Sequence, residues 1–90
     1  MKFSLTKEVS AQLKQIKKKN PKLSKKILKQ LHFFLVDHQH PSLRNHKLKG
    51  HLQSSRSISI EGNFRMVYYI SNNKAVFFDI GTHDQVYRDS

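Results

Sequence analysis

The chain has 90 residues, which suits one domain and leaves too little core for two independently folding halves. Seventeen Lys and Arg against six Asp and Glu give a net charge of +11, which favours an anionic partner. The absence of cysteine excludes disulfides and thiol chemistry. The sequence has no apolar run of the roughly 18 residues that a membrane span needs, and no visible secretory signal. We therefore expect a cytoplasmic protein.

The N-terminal half predicts a short strand followed by a helical hairpin. Residues 2–5 form the strand, and Thr6 is placed to cap the first helix. Asn20 and Pro21 end that helix and begin a second one, which runs to about Asp37. Helical spacing of apolar residues defines the buried side of each helix: Val9, Leu13 and Ile16 in the first, and Leu23, Ile27, Leu28, Leu31, Phe34 and Leu35 in the second.

The C-terminal half predicts three strands after an irregular stretch over 38–53, which contains a short extended piece at 47–48. The strands cover 55–60, 64–70 and 74–80, with turns at 61–63 and 71–73. Gly81 is expected to end the last strand, and 82–90 to form a tail. The predicted fold is therefore α+β in the order β-α-α-β-β-β, a helical hairpin packed on one face of a small, mostly antiparallel sheet.

The middle strand of the three divides its side chains between two faces. One set is suited to packing beneath the helices: Phe64, Met66, Tyr68 and Ile70. The other set is Arg65, Val67 and Tyr69. Because two helices cover only one face of the sheet, we expect the second face to stay open and to present Arg65 to an anion.

Three segments occur in an order that resembles one toxin superfamily. They are Asn-His-Lys-Leu-Lys-Gly at 45–50, Asn-Phe-Arg-Met-Val-Tyr at 63–68 and Asp-Ile-Gly-Thr-His-Asp-Gln-Val-Tyr at 79–87. Together they resemble the RelE/ParE toxins, and most closely the RelE/StbE and YafQ-like branch. The resemblance implies the toxin of a type II toxin–antitoxin system, a ribosome-dependent endoribonuclease that cuts mRNA by attack of a ribose 2′-hydroxyl without metal or cofactor.

The resemblance also implies roles for individual residues. His83 is expected to act as general acid, Arg65 to clamp the phosphate and His46 to serve as the base. Tyr87 matches a functional aromatic near the C-terminus. Further cations expected to bind the RNA backbone are Arg56, Lys47 and Lys49.

Each of these residues also has a plainer interpretation. The two histidines are equally compatible with surface positions, and Tyr87 with the edge of the core. Arg65 is compatible with an exposed ion pair to Glu61 or Asp79.

The chain departs from YafQ-like relatives at the general base. Those relatives carry a further histidine where this chain has Ser59, and an Asp-Trp pair where it has Asn63 and Phe64. The identity of the base therefore stays open, with His46 preferred. The histidines at 38, 40, 46 and 51 do not have the spacing of a known metal site.

Other classes of function remain open on the same scaffold. One is a ParE-like inhibitor of DNA gyrase, which would bind without cutting RNA, and another is a catalytically silent protein that binds only its antitoxin. In each case the resemblance implies an acidic antitoxin as partner, attracted by the +11 charge. The helices carry many lysines but few side chains that read base edges, so we expect no specific DNA binding by this chain alone.

Overall fold

A computed structural model of the protein describes residues 1–48 and 54–86. The strands are β1 (Phe3–Leu5), β2 (His46–Lys47), β3 (Arg56–Glu61), β4 (Phe64–Ser71) and β5 (Lys74–Thr82). The helices are α1 (Lys7–Lys19), α2 (Pro21–Val36) and the short α3 (His83–Val86), with a 3₁₀ turn at Pro41–Leu43. The predicted order of the main elements is confirmed, and the 3₁₀ turn and α3 add to it.

The five strands form one sheet in the order β1-β5-β4-β3-β2. Only the pairing of β1 with β5 is parallel, and the other three pairings are antiparallel. The α+β fold with a mostly antiparallel sheet is therefore confirmed.

Side-chain caps fix where the two long helices begin. The Thr6 hydroxyl accepts a hydrogen bond from the backbone N–H of Val9 at 3.2 Å. The Asn20 side chain accepts from the N–H of Leu23 at 3.2 Å, and Pro21 follows it at the first helical position. Both caps confirm the boundaries predicted from sequence, because a cap depends on residues close together in the chain.

The main core lies between the helices and one sheet face. Ile27, Leu31 and Phe34 of α2 are buried there. Leu28 and Leu35 were predicted to join them, and this was wrong, because they are 63% and 48% exposed. Both lie about 90° around the helix from the line through the buried three, so the buried stripe of α2 is narrower than predicted.

The central strand β4 shows a second departure from the predicted core. Met66 and Tyr68 pack under the helices as predicted, and Phe64 is partly buried against the same core. Ile70, on the same side of the strand, is 47% exposed instead of buried.

The opposite face of the sheet was predicted to be open, and near its centre this was wrong. Val67 is fully buried and Arg65 is only 8% exposed. Leu48 and Val86 pack with Val67 in a small second core. Residues from the segment before β3 and from α3 therefore cover this face, whereas Tyr69 stays 40% exposed.

Turn residues and one close contact determine the C-terminal hairpins. Gly62, Asn72 and Asn73 adopt positive φ, as the two predicted turns require. The prediction that Gly81 ends β5 was wrong, because the strand continues through Thr82. A Cβ at Gly81 would lie 2.5 Å from Oε1 of Gln85, so glycine allows α3 to fold back against the strand.

Across residues 1–48 and 54–86, no helix combines the length and the apolar character that crossing a bilayer requires.

Candidate functional site

Strand register brings the principal predicted residues to one face of the sheet. His46 lies opposite Ser57, and Arg65 lies opposite Ser59 on one side and Gly81 on the other. Ile58 and Ile60 of β3 point into the helix-side core. Alternation along the strand therefore directs Ser57 and Ser59, together with Arg65, to the opposite face.

Arg65 is a buried and fully oriented cation. Its Nε donates a hydrogen bond to the hydroxyl of Ser57 at 3.0 Å, and its Nη2 donates to the backbone carbonyl of Arg44 at 3.1 Å. Neither acceptor is charged, so these contacts hold the guanidinium without neutralising it. The ion pair with Glu61 or Asp79 considered from sequence is not among its contacts in the described residues. A positive charge with little exposure acts strongly on its neighbours.

His46 carries the one clear pKa shift of the described residues. Partial desolvation lowers the pKa of its imidazole below the ordinary 6.5, and the positive charges of Arg65, Arg56 and His83 lower it further. The side chain lies on an exposed position of β2. A histidine in this setting is neutral at pH 7 and is able to accept a proton.

His83 begins α3, directly after the last strand. Its backbone N–H donates to the carbonyl of Asn63 at 2.6 Å, which fixes the start of the helix beside the β3–β4 turn. Nδ1 lies 3.8 Å from Oδ1 of Asp84, an ion-pair geometry when the ring is protonated. The side chain is 57% exposed, and its charge acts on His46. Val86, at the end of the same helix, packs with Val67 on the face of Arg65, so α3 brings the His83 imidazole to the side of the molecule that holds Arg65 and His46.

Arg56 and Lys47 are not brought to this face. Arg56 lies two and four residues before Ile58 and Ile60, so its side chain is on the same face as theirs, the helix side, near the edge of the sheet. There its Nε donates to Oδ1 of Asn45 at 2.8 Å. Lys47 lies opposite Arg56 in register and is exposed. Arg56 still influences His46 through its charge, but it is separated from Arg65 by the sheet.

Two of the predicted site residues, Tyr87 and Lys49, lie outside the described residues. Conversely, sequence reasoning missed Ser57 as the partner of Arg65 and Asn45 as the partner of Arg56. The signal for Ser57 was present, because strict alternation from 57 to 60 puts it on the face of Arg65. Asn45 stood within a recognised motif, but nothing local indicated its contacts.

In the part of the chain that the structure describes, no three or more histidine, aspartate or glutamate side chains come together in a way that could hold a metal ion. His51, one of the four clustered histidines in the sequence, lies outside that part.

Comparisons with known proteins identify the family and the fold of the chain. A family model described as the bacterial toxin YafQ of a type II toxin–antitoxin system matches residues 1–88. No curated protein sequence matches significantly.

Solved structures show the same fold. The YoeB/ParE toxin from Agrobacterium tumefaciens superposes with a TM-score of 0.78 at 18% identity, covering 92% of this chain and 99% of that one. The YoeB–YefM complex from Staphylococcus aureus gives 0.75 at 21%, covering 92% and 97%. The DinJ–YafQ complex from E. coli gives 0.68 at 20%, covering 94% and 96%. At these identities the likeness establishes the fold alone.

Proposed function

We propose that this chain, which belongs to the YafQ family of bacterial toxins of type II toxin–antitoxin systems, is a metal-independent endoribonuclease that cuts mRNA on the ribosome. The observation that carries this proposal is the gathering of one buried guanidinium and two imidazoles on a single sheet face. Arg65, His46 and His83 are the groups that phosphodiester transesterification needs: a fixed cation, a proton acceptor and a proton donor.

In the proposed reaction, the ribose 2′-oxygen forms a bond to the adjacent phosphorus while the bond from phosphorus to the 5′-oxygen breaks. His46 takes the proton of the 2′-hydroxyl, and His83 gives a proton to the departing 5′-oxygen. The products are a 2′,3′-cyclic phosphate and a free 5′-hydroxyl. The lowered pKa of His46 favours the neutral base at pH 7, and the exposed His83 is accessible to the leaving group.

Arg65 supplies the positive charge that the pentacovalent phosphate requires. Its contacts with Ser57 and the Arg44 carbonyl use only part of its set of N–H donors. Because the guanidinium is oriented before substrate arrives, little reorganisation accompanies the reaction.

The remaining candidates are proposed for RNA contact outside the reacting phosphate. Tyr87 follows directly after α3 in the sequence, and the family resemblance supports stacking on a nucleobase there. The RNA backbone would also be attracted by the charges of three further cations, Lys47, Lys49 and Arg56. Of these, Lys47 and Arg56 lie on the other side of the edge strands. We also propose that the lysine-rich surface of α1 and α2 contacts ribosomal RNA, and that the protein acts in the cytoplasm.

The proposed protein partner is an acidic antitoxin. The solved relatives include a YafQ toxin bound to DinJ and a YoeB toxin bound to YefM. The charge of +11 favours a partner of opposite sign for this chain also. We propose that the antitoxin covers the face holding Arg65 and His83, and that any operator binding is a property of the complex.

A translation reaction with a defined message and purified ribosomes tests the nuclease. We expect the protein to cut the message at discrete positions even when EDTA is added at a concentration that ribosomes tolerate. Each cut should leave a 5′-hydroxyl end. His83→Ala and Arg65→Gln should abolish the cuts, while Lys74→Gln, at the exposed start of β5, should not. An unchanged cut pattern in both site variants would contradict these roles. Inhibition of DNA supercoiling without any RNA cleavage would favour the gyrase alternative.

A further inference from the structure

Asn45, immediately before His46, forms hydrogen bonds through both ends of its side-chain amide. Its Nδ2 donates to the backbone carbonyl of His38 at 3.0 Å and to the hydroxyl of Tyr68 at 2.7 Å. Its Oδ1 accepts from Nε of Arg56 at 2.8 Å. A carbonyl only accepts and a guanidinium only donates, so these partners fix which way the amide faces.

These contacts join the segment before β2 to the hydrophobic core of the protein. Tyr68 is 1% exposed and lies in the centre of the sheet. Its ring packs against Phe34 and Phe77, with centroids 5.0 and 5.1 Å away. The third partner, Arg56, begins β3, the strand on which β2 is paired. A single amide thus connects the His46 segment to the core and to its neighbouring strand.

β2 needs such an anchor because its own pairing is minimal. The strand consists of only two residues, His46 and Lys47, at the edge of the sheet. Strands this short and bordered on one side alone open readily. The backbone bond from Leu48 N–H to the Ser55 carbonyl, 3.0 Å long, extends the pairing by a single step. The preceding Arg44 is in the left-handed conformation, with φ of 46°.

We propose that Asn45 is a positioning residue: its amide, with Arg56 and Tyr68, fixes the His46 imidazole beside Ser57 and Arg65. The inference rests on the proposed function, in which His46 is the base. It also gives Arg56, which lies on the helix side of the sheet, a role in holding Asn45. The guanidinium uses its Nε to hold the segment, and its contribution to RNA binding is secondary.

The first test observes the protein without substrate. In Asn45→Ala, we expect the NMR titration midpoint of His46 to rise towards that of an exposed histidine, because the segment moves away from the sheet and from Arg65. Tyr68→Phe, which removes one hydroxyl and keeps the ring, should shift it in the same direction by less. Hydrogen exchange of the His46 and Leu48 amides, which point towards β3, should accelerate in both variants.

Gln30 offers a matched control for a buried bridging amide. Its Nε2 donates to the carbonyls of Ser42 and Ser59, at 3.2 and 2.9 Å, and contacts no guanidinium. Gln30→Met should lower stability but leave the titration of His46 in place. An unchanged His46 titration and unchanged amide exchange in Asn45→Ala would overturn the proposal, whether or not the protein cuts RNA.

The second test separates positioning from a general loss of structure. Under saturating substrate, Asn45→Ala should lower the cleavage rate roughly tenfold to a hundredfold with little change in KM, since misplacing a reacting group costs rate. In a His46→Ala background, Asn45→Ala should not lower the cleavage rate any further. An undiminished loss in that background would refute positioning of His46. Full activity of His46→Ala alone would instead refute the base assignment, and the NMR test would still decide whether Asn45 holds the segment in place.

Discussion

The hydroxyl of Ser57 accepts a hydrogen bond from Nε of Arg65 at 3.0 Å, and both residues are buried. This contact crosses from β3 to β4 on the sheet face opposite the long helices. It explains how a cation remains next to the second core of Leu48, Val67 and Val86. Because this acceptor is a neutral oxygen and not a carboxylate, the contact orients the guanidinium without balancing its positive charge.

Ser57→Ala is expected to destabilise the fold by about 1–3 kcal/mol, because it leaves a buried N–H of Arg65 without its acceptor. Denaturant unfolding followed by circular dichroism would measure the change. Ser71→Ala, at an exposed position near the end of the same sheet, is the matched control and should be close to neutral. Equal stability of the two variants would show that the Ser57 contact is not important for the fold.

Arg65→Lys tests whether the shape of the cation matters as well as its charge. A lysine retains the charge, but its single ammonium group cannot bridge Ser57, the Arg44 carbonyl and a phosphate at once. We expect cleavage to fall by roughly a hundredfold to a thousandfold, the usual cost of losing a fixed donor to transition-state charge. Lys74→Gln removes an exposed charge at the distant β4–β5 turn and should change cleavage little. Wild-type rates in Arg65→Lys would contradict a fixed, oriented donor.

The lowered pKa of His46 gives a signed dependence of stability on pH. Desolvation and the charges of Arg65, Arg56 and His83 hold the pKa below the ordinary 6.5. Between the folded value and 6.5, the unfolded chain binds more protons at this residue than the folded chain does. The contribution of His46 to stability is therefore complete above pH 6.5 and is lost as the pH falls through the folded value.

His46→Gln should remove that part of the pH dependence. Unfolding free energies measured across the acidic range should decline less steeply than in the wild type. A steeper slope in His46→Gln would mean that the histidine is charged in the folded protein, which would contradict its role as a neutral base.

The helix starts followed from sequence because they depend on neighbouring residues, as the caps at Thr6 and Asn20 show. The face of Arg65 also followed, from alternation along β4. The burial of that face did not, because Leu48 and Val86, which pack on Val67, come from opposite sides of the strand in the chain. Such long-range packing leaves no periodic signal in a single sequence.

Arg56 illustrates a different shortfall. Its position two residues before Ile58 already indicated the helix side, but the family resemblance led us to expect that it binds the RNA backbone. The contact with Asn45 explains instead why a charged residue is acceptable beside the core edge.

Gly81→Ala is expected to change the position of His83 indirectly, through the first turn of α3. The added Cβ would lie 2.5 Å from Oε1 of Gln85, the oxygen that accepts from the backbone N–H of Thr82 at 2.7 Å. Relief requires Gln85 to move away, which breaks that bond and loosens the first turn of α3. Because Oε1 is the end of a flexible, exposed side chain, it can turn aside, and we expect a loss of about 1 kcal/mol, the usual contribution of one hydrogen bond, together with reduced cleavage.

Gln85→Ala supplies the control for this prediction. It removes the oxygen but keeps the Gln85 Cβ, which is 3.2 Å from the position that a methyl group would take at Gly81. The cost of Gly81→Ala should therefore be smaller in the Gln85→Ala background than in the wild type, and a double-mutant cycle on unfolding free energies would measure the difference. If the two costs are simply additive, the glycine is required for some reason other than the approach of Gln85. If they are strongly coupled and cleavage follows stability, α3 docks against β5 through this contact, and the docking holds His83 over the sheet.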